Sequence, residues 1–304
     1  VLAAFDVGSN TVRLLIGDSD GVRLTPVRHE RRITRLAGNY DSAKGLAPES
    51  MERTLCALQE LCDVARVHGA QRLRAVGTQA LRQARNGQDF VDQVLKTCGL
   101  PIDIVAGQEE ASLAMAGILS ALEPIPQCCL AFDLGGGSTE FIFYRHGTVQ
   151  LTTSFPLGVV RLAEQFATDD MRNQAITEMV DQLEQDLQQA GLVNEVLDNN
   201  CSLVGTAGTV TTLAALCLGM VHYDWHRVNN FRLTLPFLQD LASRLQPLTP
   251  AQREALPGME KGRGDLIVPG LRLVLALLKR FSKSSLSVSD FGLLEGVLLH
   301  LGRS

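Results

Sequence analysis

Two short segments hold residues whose types and spacing suit phosphate chemistry. The first, Asp6-Val7-Gly8-Ser9-Asn10, is a turn between two apolar runs. Gly8 lets the backbone bend so that N–H groups converge on an anion, and Ser9 and Asn10 add short polar donors. Asp6 leaves a strand end toward the same space, where a carboxylate can hold Mg²⁺ directly or through water. An ordinary hairpin turn explains one such segment equally well. The second, Asp133-Leu134-Gly135-Gly136-Gly137-Ser138-Thr139-Glu140, makes that explanation poorer, because three consecutive glycines exceed what a hairpin needs. A third segment, Gly205-Thr206-Ala207-Gly208-Thr209, is a small-residue turn from a strand-like run into a helical one. A tight turn would account for it, and so would an anion site on free N–H groups at a positive dipole end.

The first two segments belong to a larger repeat. Residues 4–8 read Ala-Phe-Asp-Val-Gly and residues 131–135 read Ala-Phe-Asp-Leu-Gly. Each is followed by a small-residue turn, an apolar run (12–16 and 141–144), a glycine turn and a third strand-like run (22–27 and 148–153). A strand–turn–strand–turn–strand unit recurring at an offset of 127 residues implies two similar lobes. Helical periodicity fills the remainder: 48–69, 88–98, 107 to about 122, 168–190, 210–218, 236–245, 266–280 and 293–301. Strand-like runs at 72–76, 102–105, 201–205, 231–235 and 286–288 alternate with them, which predicts an α/β fold.

With these motifs in order along the whole chain, the sequence resembles the exopolyphosphatase / guanosine pentaphosphate phosphohydrolase family. Asp6 to Leu14 and Asp133 to Glu140 are similar to its two phosphate loops. Gly77-Thr78-Gln79-Ala80-Leu81-Arg82-Gln83-Ala84-Arg85-Asn86 resembles its Ala-Thr-x-Ala-x-Arg-x-Ala-x-Asn segment, with Gly77 in place of the usual Ala. Gly107-Gln108-Glu109-Glu110-Ala111 is similar to its Gly-x-Glu-Glu-Ala signature. The stretches 155–162 and 262–265 also match family segments, Gly264 standing where Ala is commoner. The chain resembles the short, two-domain members, which lack an additional helical C-terminal region.

The resemblance implies two actin-like (ribonuclease H-like) lobes with a cleft between them. Their expected bounds are 1–119 plus 289–304 for the first and 120–288 for the second. It implies Mg²⁺-dependent removal of terminal phosphate from inorganic polyphosphate, with Mn²⁺ as substitute. Glu110 would be the base that activates water, Asp6, Asp133 and Glu140 the metal ligands. Phosphate contacts would come from Gly8, Ser9, Asn10, Thr78, Arg82, Gly135, Gly136, Gly137, Ser138, Gly205, Thr206 and Gly208. Without the resemblance, Glu109 and Glu110 would read as acids placed in a helix's first turn to complement its dipole. Further cations for a phosphate tail are Arg35, Arg85, Arg161, Lys261 and Arg263.

Three other readings remain open at this point. One is guanosine pentaphosphate 5′-phosphohydrolase, with the same chemistry on a nucleotide. Another is a sugar or acetate kinase of the same superfamily, which the Glu-Glu segment and the Ser-Asn first loop argue against. The last is a non-enzymatic binder of polyphosphate or guanosine tetraphosphate, against which the retained Glu110 and both Asp loops speak.

Composition narrows the setting. The chain has 304 residues, 20% of them charged, and a net charge of −5, which argues against a surface dedicated to DNA, RNA or an anionic membrane. Its seven cysteines contain no Cys-x-x-Cys pair, so neither a disulfide framework nor a zinc site is expected. No apolar run reaches the roughly 18–20 residues of a membrane span, and no basic leader precedes the opening apolar run. A cytoplasmic protein, a homodimer in its assembly, is the expectation.

Overall fold

The computed structural model describes residues 1–40 and 44–303. They form two compact units, one within 1–120 together with 292–303, the other Ala121–Phe291.

The first unit opens with β1 (Leu2–Val7), β2 (Thr11–Ser19) and β3 (Leu24–Ile33), an antiparallel meander. It continues through α1 (Pro48–Val67), β4 (Arg72–Gly77), α2 (Gln79–Gln83), α3 (Gly87–Cys98), β5 (Ile102–Ile104) and α4 (Gly107–Ser120). The sheet order is β3-β2-β1-β4-β5, with β4 parallel to β1 and β5 parallel to β4. Every residue of β1 is buried, as expected of a central strand covered on both faces. Period-2 alternation then sorts its side chains. Ala3, Phe5 and Val7 enter the core with residues of α1 and α3, whereas Leu2 and Ala4 enter a second core on the other face. Asp6 therefore points to that second face.

The second unit contains β6 (Cys128–Leu134), β7 (Thr139–Arg145), β8 (Thr148–Phe155), α5 (Val159–Glu164), α6 (Asp169–Gln189), α7 (Val193–Leu197), β9 (Ser202–Thr206) and α8 (Ala207–Cys217). It closes with α9 (Trp225–Val228), β10 (Arg232–Thr234), α10 (Leu235–Leu245), α11 (Pro250–Glu254), α12 (Ile267–Arg280) and β11 (Ser285–Val288). The order β10-β11-β9-β6-β7-β8 repeats the first unit's plan: an antiparallel meander beside parallel strands, here β6-β9-β11. The repeat predicts this duplicated α/β architecture, and the family resemblance implies its actin-like plan. Leu130, Phe132 and Leu134 of β6 face the main core, so Asp133 again lies on the opposite face.

The last helix, α13 (Leu293–Arg303), returns to the first unit and packs beside α4. Its Leu294, Val297, Leu298 and Leu301 cover the second face of the first sheet with Leu2, Ala4, Leu15 and Val76. The two helices meet through glycines. A Cβ on Gly117 would lie 1.9 Å from the Gly292 carbonyl oxygen, and one on Gly296 would lie 1.8 Å from that of Leu113. Only residues without a side chain permit this approach.

Two elements depart most from their expected bounds. β3 runs on to Ile33 through Arg28, Glu30, Arg31 and Arg32, a charged edge strand defined by backbone pairing to β2 rather than by apolar alternation. Helix α8 begins at Ala207, three residues before the apolar run that marks it in the sequence.

Candidate active site

The two repeated segments share one geometry. Gly8 N–H donates to the Thr11 carbonyl at 3.0 Å, and Gly135 N–H donates to that of Ser138 at 3.1 Å. Directly behind each turn the hairpin register sets Asp6 opposite Arg13 and Asp133 opposite Glu140. Directly opposed residues of an antiparallel pair share a face with Cβ atoms about 4.5–5.5 Å apart. The duplication thus extends to individual pairs, but the charge partner differs. Asp6, only 5% exposed, faces the Arg13 guanidinium at 3.5 Å. Asp133 faces a second carboxylate.

In the first loop, the carbonyl of Ser9 accepts from Ala37 N–H at 2.9 Å. That of Asn10 accepts from Thr34 and Arg35 at 3.0 and 2.9 Å. Residues 34–37 therefore brace the loop through its carbonyls, while the N–H groups of Ser9 and Asn10 make no hydrogen bond among the described residues. In the second loop the carbonyls of Gly135 and Gly136 accept from Val159 and Val160 at 3.0 and 2.9 Å. The buried Thr139 hydroxyl donates to the Leu157 carbonyl at 2.6 Å. Gly158 permits this clamp, since a Cβ there would lie 2.5 Å from the Gly135 oxygen. Gly136 and Gly137 remain exposed, and Ser138 half-buried.

The third turn follows β9, whose Thr206 lies beside Asp133 in parallel register. Ala207 has φ +69, a left-handed conformation that is uncommon and costly for a residue with a side chain. Thr206 donates to the Phe291 carbonyl at 3.3 Å, and Gly208 accepts from Thr212 Oγ1 at 2.6 Å. The Arg263 guanidinium lies directly on Gly208, where a Cβ would come within 2.2 Å of it. Gly205, Thr206 and Gly208 therefore share the carboxyl edge of the second sheet with Asp133 and Gly135 to Ser138. Open α/β sheets bind ligands at that edge.

At the carboxyl edge of the first sheet, Thr78 N–H donates to the Val7 carbonyl at 3.3 Å, placing Thr78 behind the first loop. Arg82 Nη1 bridges the Val105 carbonyl at 2.7 Å and Glu110 Oε2 at 3.0 Å. Glu110 is 30% exposed, in the first turn of α4, the helix packed on the sheet face toward which Asp6 points. Its neighbour Glu109 has another use: it pairs with Arg74 at 2.7 Å, and Arg74 also meets Asp103 at 3.1 Å. The two acids of the pair are thus distinct in environment.

Sequence reasoning overlooked Arg13 and Glu295. Counting back from the Gly8–Thr11 closure would have put Arg13 opposite Asp6. Nothing local could have found Glu295, which arrives from the other end of the chain. It is 5% exposed, accepts from Gly292 N–H at 2.7 Å and lies 4.0 Å from His29 Nε2. Burial raises its pKa above the ordinary carboxylate range, the Gly292 hydrogen bond and Arg13 act against that, and the charge of Asp6 adds to it. Burial also raises the pKa of Asp6, with Arg13 opposing.

Among the described residues no three His, Cys, Asp or Glu side chains converge as a metal cluster. The opposed carboxylates of Asp133 and Glu140 nonetheless fit a hard divalent cation. Mg²⁺ keeps several waters and is commonly held by one or two carboxylates together with substrate phosphate. Glu140 is held by Ser154 Oγ, which donates to it at 2.9 Å. Asp6 fits less well as a direct ligand, because its charge faces Arg13.

The chain is similar to known proteins over nearly its whole length. Residues 15–303 match the model of the Ppx/GppA phosphatase family. The chain is 33% identical to Exopolyphosphatase 2 of Mycobacterium tuberculosis, covering 99% of this chain and 98% of that protein. It is 27% identical to Exopolyphosphatase 1 of the same organism, covering 98% and 87%. Among solved structures, the type II variant of the Aquifex aeolicus Ppx/GppA phosphatase superposes with a TM-score of 0.83 at 29% identity, covering 98% of each chain. An exopolyphosphatase from Cytophaga hutchinsonii superposes with a TM-score of 0.77 at 27% identity, covering 99% and 97%.

Proposed function

Since the chain belongs to the Ppx/GppA phosphatase family, we propose that it is an exopolyphosphatase, removing terminal phosphate from inorganic polyphosphate with a divalent cation, Mg²⁺ first and Mn²⁺ in its place. The observation that carries this reading is the pair of hairpin loops closed by the same hydrogen bond, each with an aspartate two residues before its glycine. Relatives covering nearly the whole chain and named exopolyphosphatase support it.

Phosphoanhydride hydrolysis needs an oriented water, an in-line arrangement and stabilisation of charge on the phosphoryl oxygens. The N–H groups of Ser9 and Asn10, and of Gly136 to Ser138, take phosphoryl oxygens in this reading. Thr78 and the turn from Gly205 to Gly208 add donors. Glu110, held in place by Arg82, accepts a proton from water as the water oxygen bonds to the terminal phosphorus. The bridging P–O bond breaks, and the shortened chain leaves with those electrons. Asp133 and Glu140 hold the cation, which when bound offsets negative charge on the phosphate oxygens. Asp6 and Arg13, as a neutralised pair, keep the first loop free of excess negative charge.

We place the protein in the cytoplasm. Its seven cysteines are all free thiols, and no described helix is long and apolar enough to cross a membrane. Phosphate release from medium-chain polyphosphate and from guanosine pentaphosphate, measured side by side with and without Mg²⁺, tests the assignment. Cation-dependent release favouring polyphosphate supports it. Preference for the nucleotide would transfer the same chemistry to that substrate, and release from neither would leave a binding protein.

A further inference from the structure

The second unit has another basic cavity, and it lies away from the phosphate loops. Its volume is about 190 Å³, and Lys283, Arg232, Ser202, Ser284 and Ser285 are among the residues lining it. Ser202 is the first residue of β9 and Thr206 the last. At about 3.3 Å per residue the cavity sits roughly 13 Å from the Thr206 turn, at the amino edge of the strands. Two cations line it and no carboxylate does. A larger cavity of about 260 Å³, lined by Arg172, Arg253 and Arg272, differs in this respect. There Glu164, Asp169 and Asp265 balance the three arginines, and Asp169 already pairs with Arg172 and Arg272.

Lys283 is the unusual member. It is 8% exposed, and its Nζ donates to the Asp198 carbonyl at 2.6 Å. An ammonium has three donors, so two remain. Among the described residues no carboxylate forms an ion pair with it, and a buried charge without a counter-ion is costly. Burial lowers its pKa, while the neighbouring Cys201, Cys128 and Asp198 act in the other direction. At the rim, Arg232 Nε donates to Ser285 Oγ at 2.7 Å, which fixes the guanidinium beside that hydroxyl and leaves its outer N–H groups for a ligand.

We propose that this cavity is a second anion site, which takes a phosphate-sized oxyanion between the Lys283 ammonium and the Arg232 guanidinium, with serine hydroxyls donating to its remaining oxygens. Charge-assisted hydrogen bonds from two cations and several hydroxyls suit a tetrahedral oxyanion. The ligand is either free orthophosphate or the end of a phosphate chain. The site does not depend on the proposed hydrolysis, since it shares no residue with the loops.

The test is a titration of the ¹H–¹⁵N spectrum of the full chain at fixed ionic strength, with orthophosphate in one arm and tripolyphosphate in the other. The amides of Ser202, Lys283 and Ser284 shift saturably with at least one probe, and the tighter probe identifies the source. In Arg232→Gln, an exposed change, and in Lys283→Met, which keeps the apolar stem, the Kd at these amides weakens by about tenfold or more. Shifts at Gly135 to Gly137 stay as in the parent chain. Absence of saturable shifts at the cavity amides with both probes, or an unchanged Kd in both variants, overturns the proposal.

Discussion

Gly296→Ala isolates the contact that seats α4, the helix carrying Glu110, against the C-terminal helix. The new methyl would sit 1.8 Å from the Leu113 carbonyl oxygen and 3.2 Å from Gly117 N. Reaching even 3.0 Å requires a movement of about 1.2 Å. Both neighbours are backbone, so no side-chain rotation relieves the clash, and the helices must separate. Separation loosens Leu294, Val297 and Leu298 from Leu2, Ala4 and Leu15. Overpacking of this kind costs about 1–3 kcal/mol, or several degrees in Tm for a unit of this size. Because a misplacement near 1 Å can cost about 10²-fold in rate, kcat falls well beyond the loss of folded protein. Gly292→Ala is the matched control, since a Cβ there meets nothing within 4 Å. Urea unfolding and phosphate release from polyphosphate are measured for both variants. If Gly296→Ala is as stable and active as Gly292→Ala, the close helix contact does not position the site.

Three further outcomes follow from the site. Glu295→Gln keeps an acceptor for Gly292 N–H but removes a buried charge. The raised pKa of Glu295 means that its acid form is favoured on folding. The wild-type contribution is present below the ordinary value of 4.5 and is lost as pH rises through the raised folded value. The variant's Tm should therefore exceed the wild type's at pH 8 and converge with it toward pH 4; a constant gap across that range would refute the buried-charge account. Asp133→Asn should lower kcat and raise the Mg²⁺ concentration needed for half-maximal rate, and unchanged metal titration would remove Asp133 from cation binding. Exhaustive chelation should abolish phosphate release and added Mg²⁺ restore it; release that persists through chelation contradicts the metal-assisted reading.

Much of the fold was legible because the chain repeats itself. Two copies of Ala-Phe-Asp followed by an apolar residue and glycine imposed two copies of a central strand, and alternation within β1 sorted Asp6 from Phe5. The charged strand from Arg28 to Ile33 was not legible, since an edge strand needs no apolar pattern to pair through its backbone. Short helices such as α2 and α5 also escaped, each being a turn or two fixed by what it packs against. At the site, the loops were visible as glycine and hydroxyl residues after a strand. What distinguished them was the partner behind each aspartate, Arg13 in one and Glu140 in the other, which depends on hairpin register. Likewise Glu109 and Glu110 look alike in sequence and part only when Arg74 and Arg82 take one each.

Glu109 and Glu110 therefore offer a matched pair for testing which acid takes part in the reaction. If Glu110 accepts the proton from water, Glu110→Gln should leave the thermal midpoint and substrate affinity nearly unchanged while kcat on polyphosphate falls by about 10²–10⁴-fold. Glu109→Gln breaks only an ion pair with Arg74, of the kind typically contributing about 0–1 kcal/mol to stability, and should leave kcat close to the wild type's. The measurement is kcat for the two variants on the same polyphosphate preparation, with their midpoints recorded alongside. A large loss confined to Glu110→Gln is the predicted result. Equal, small losses in both would show that Glu110 is a helix-end acid like its neighbour and not the base.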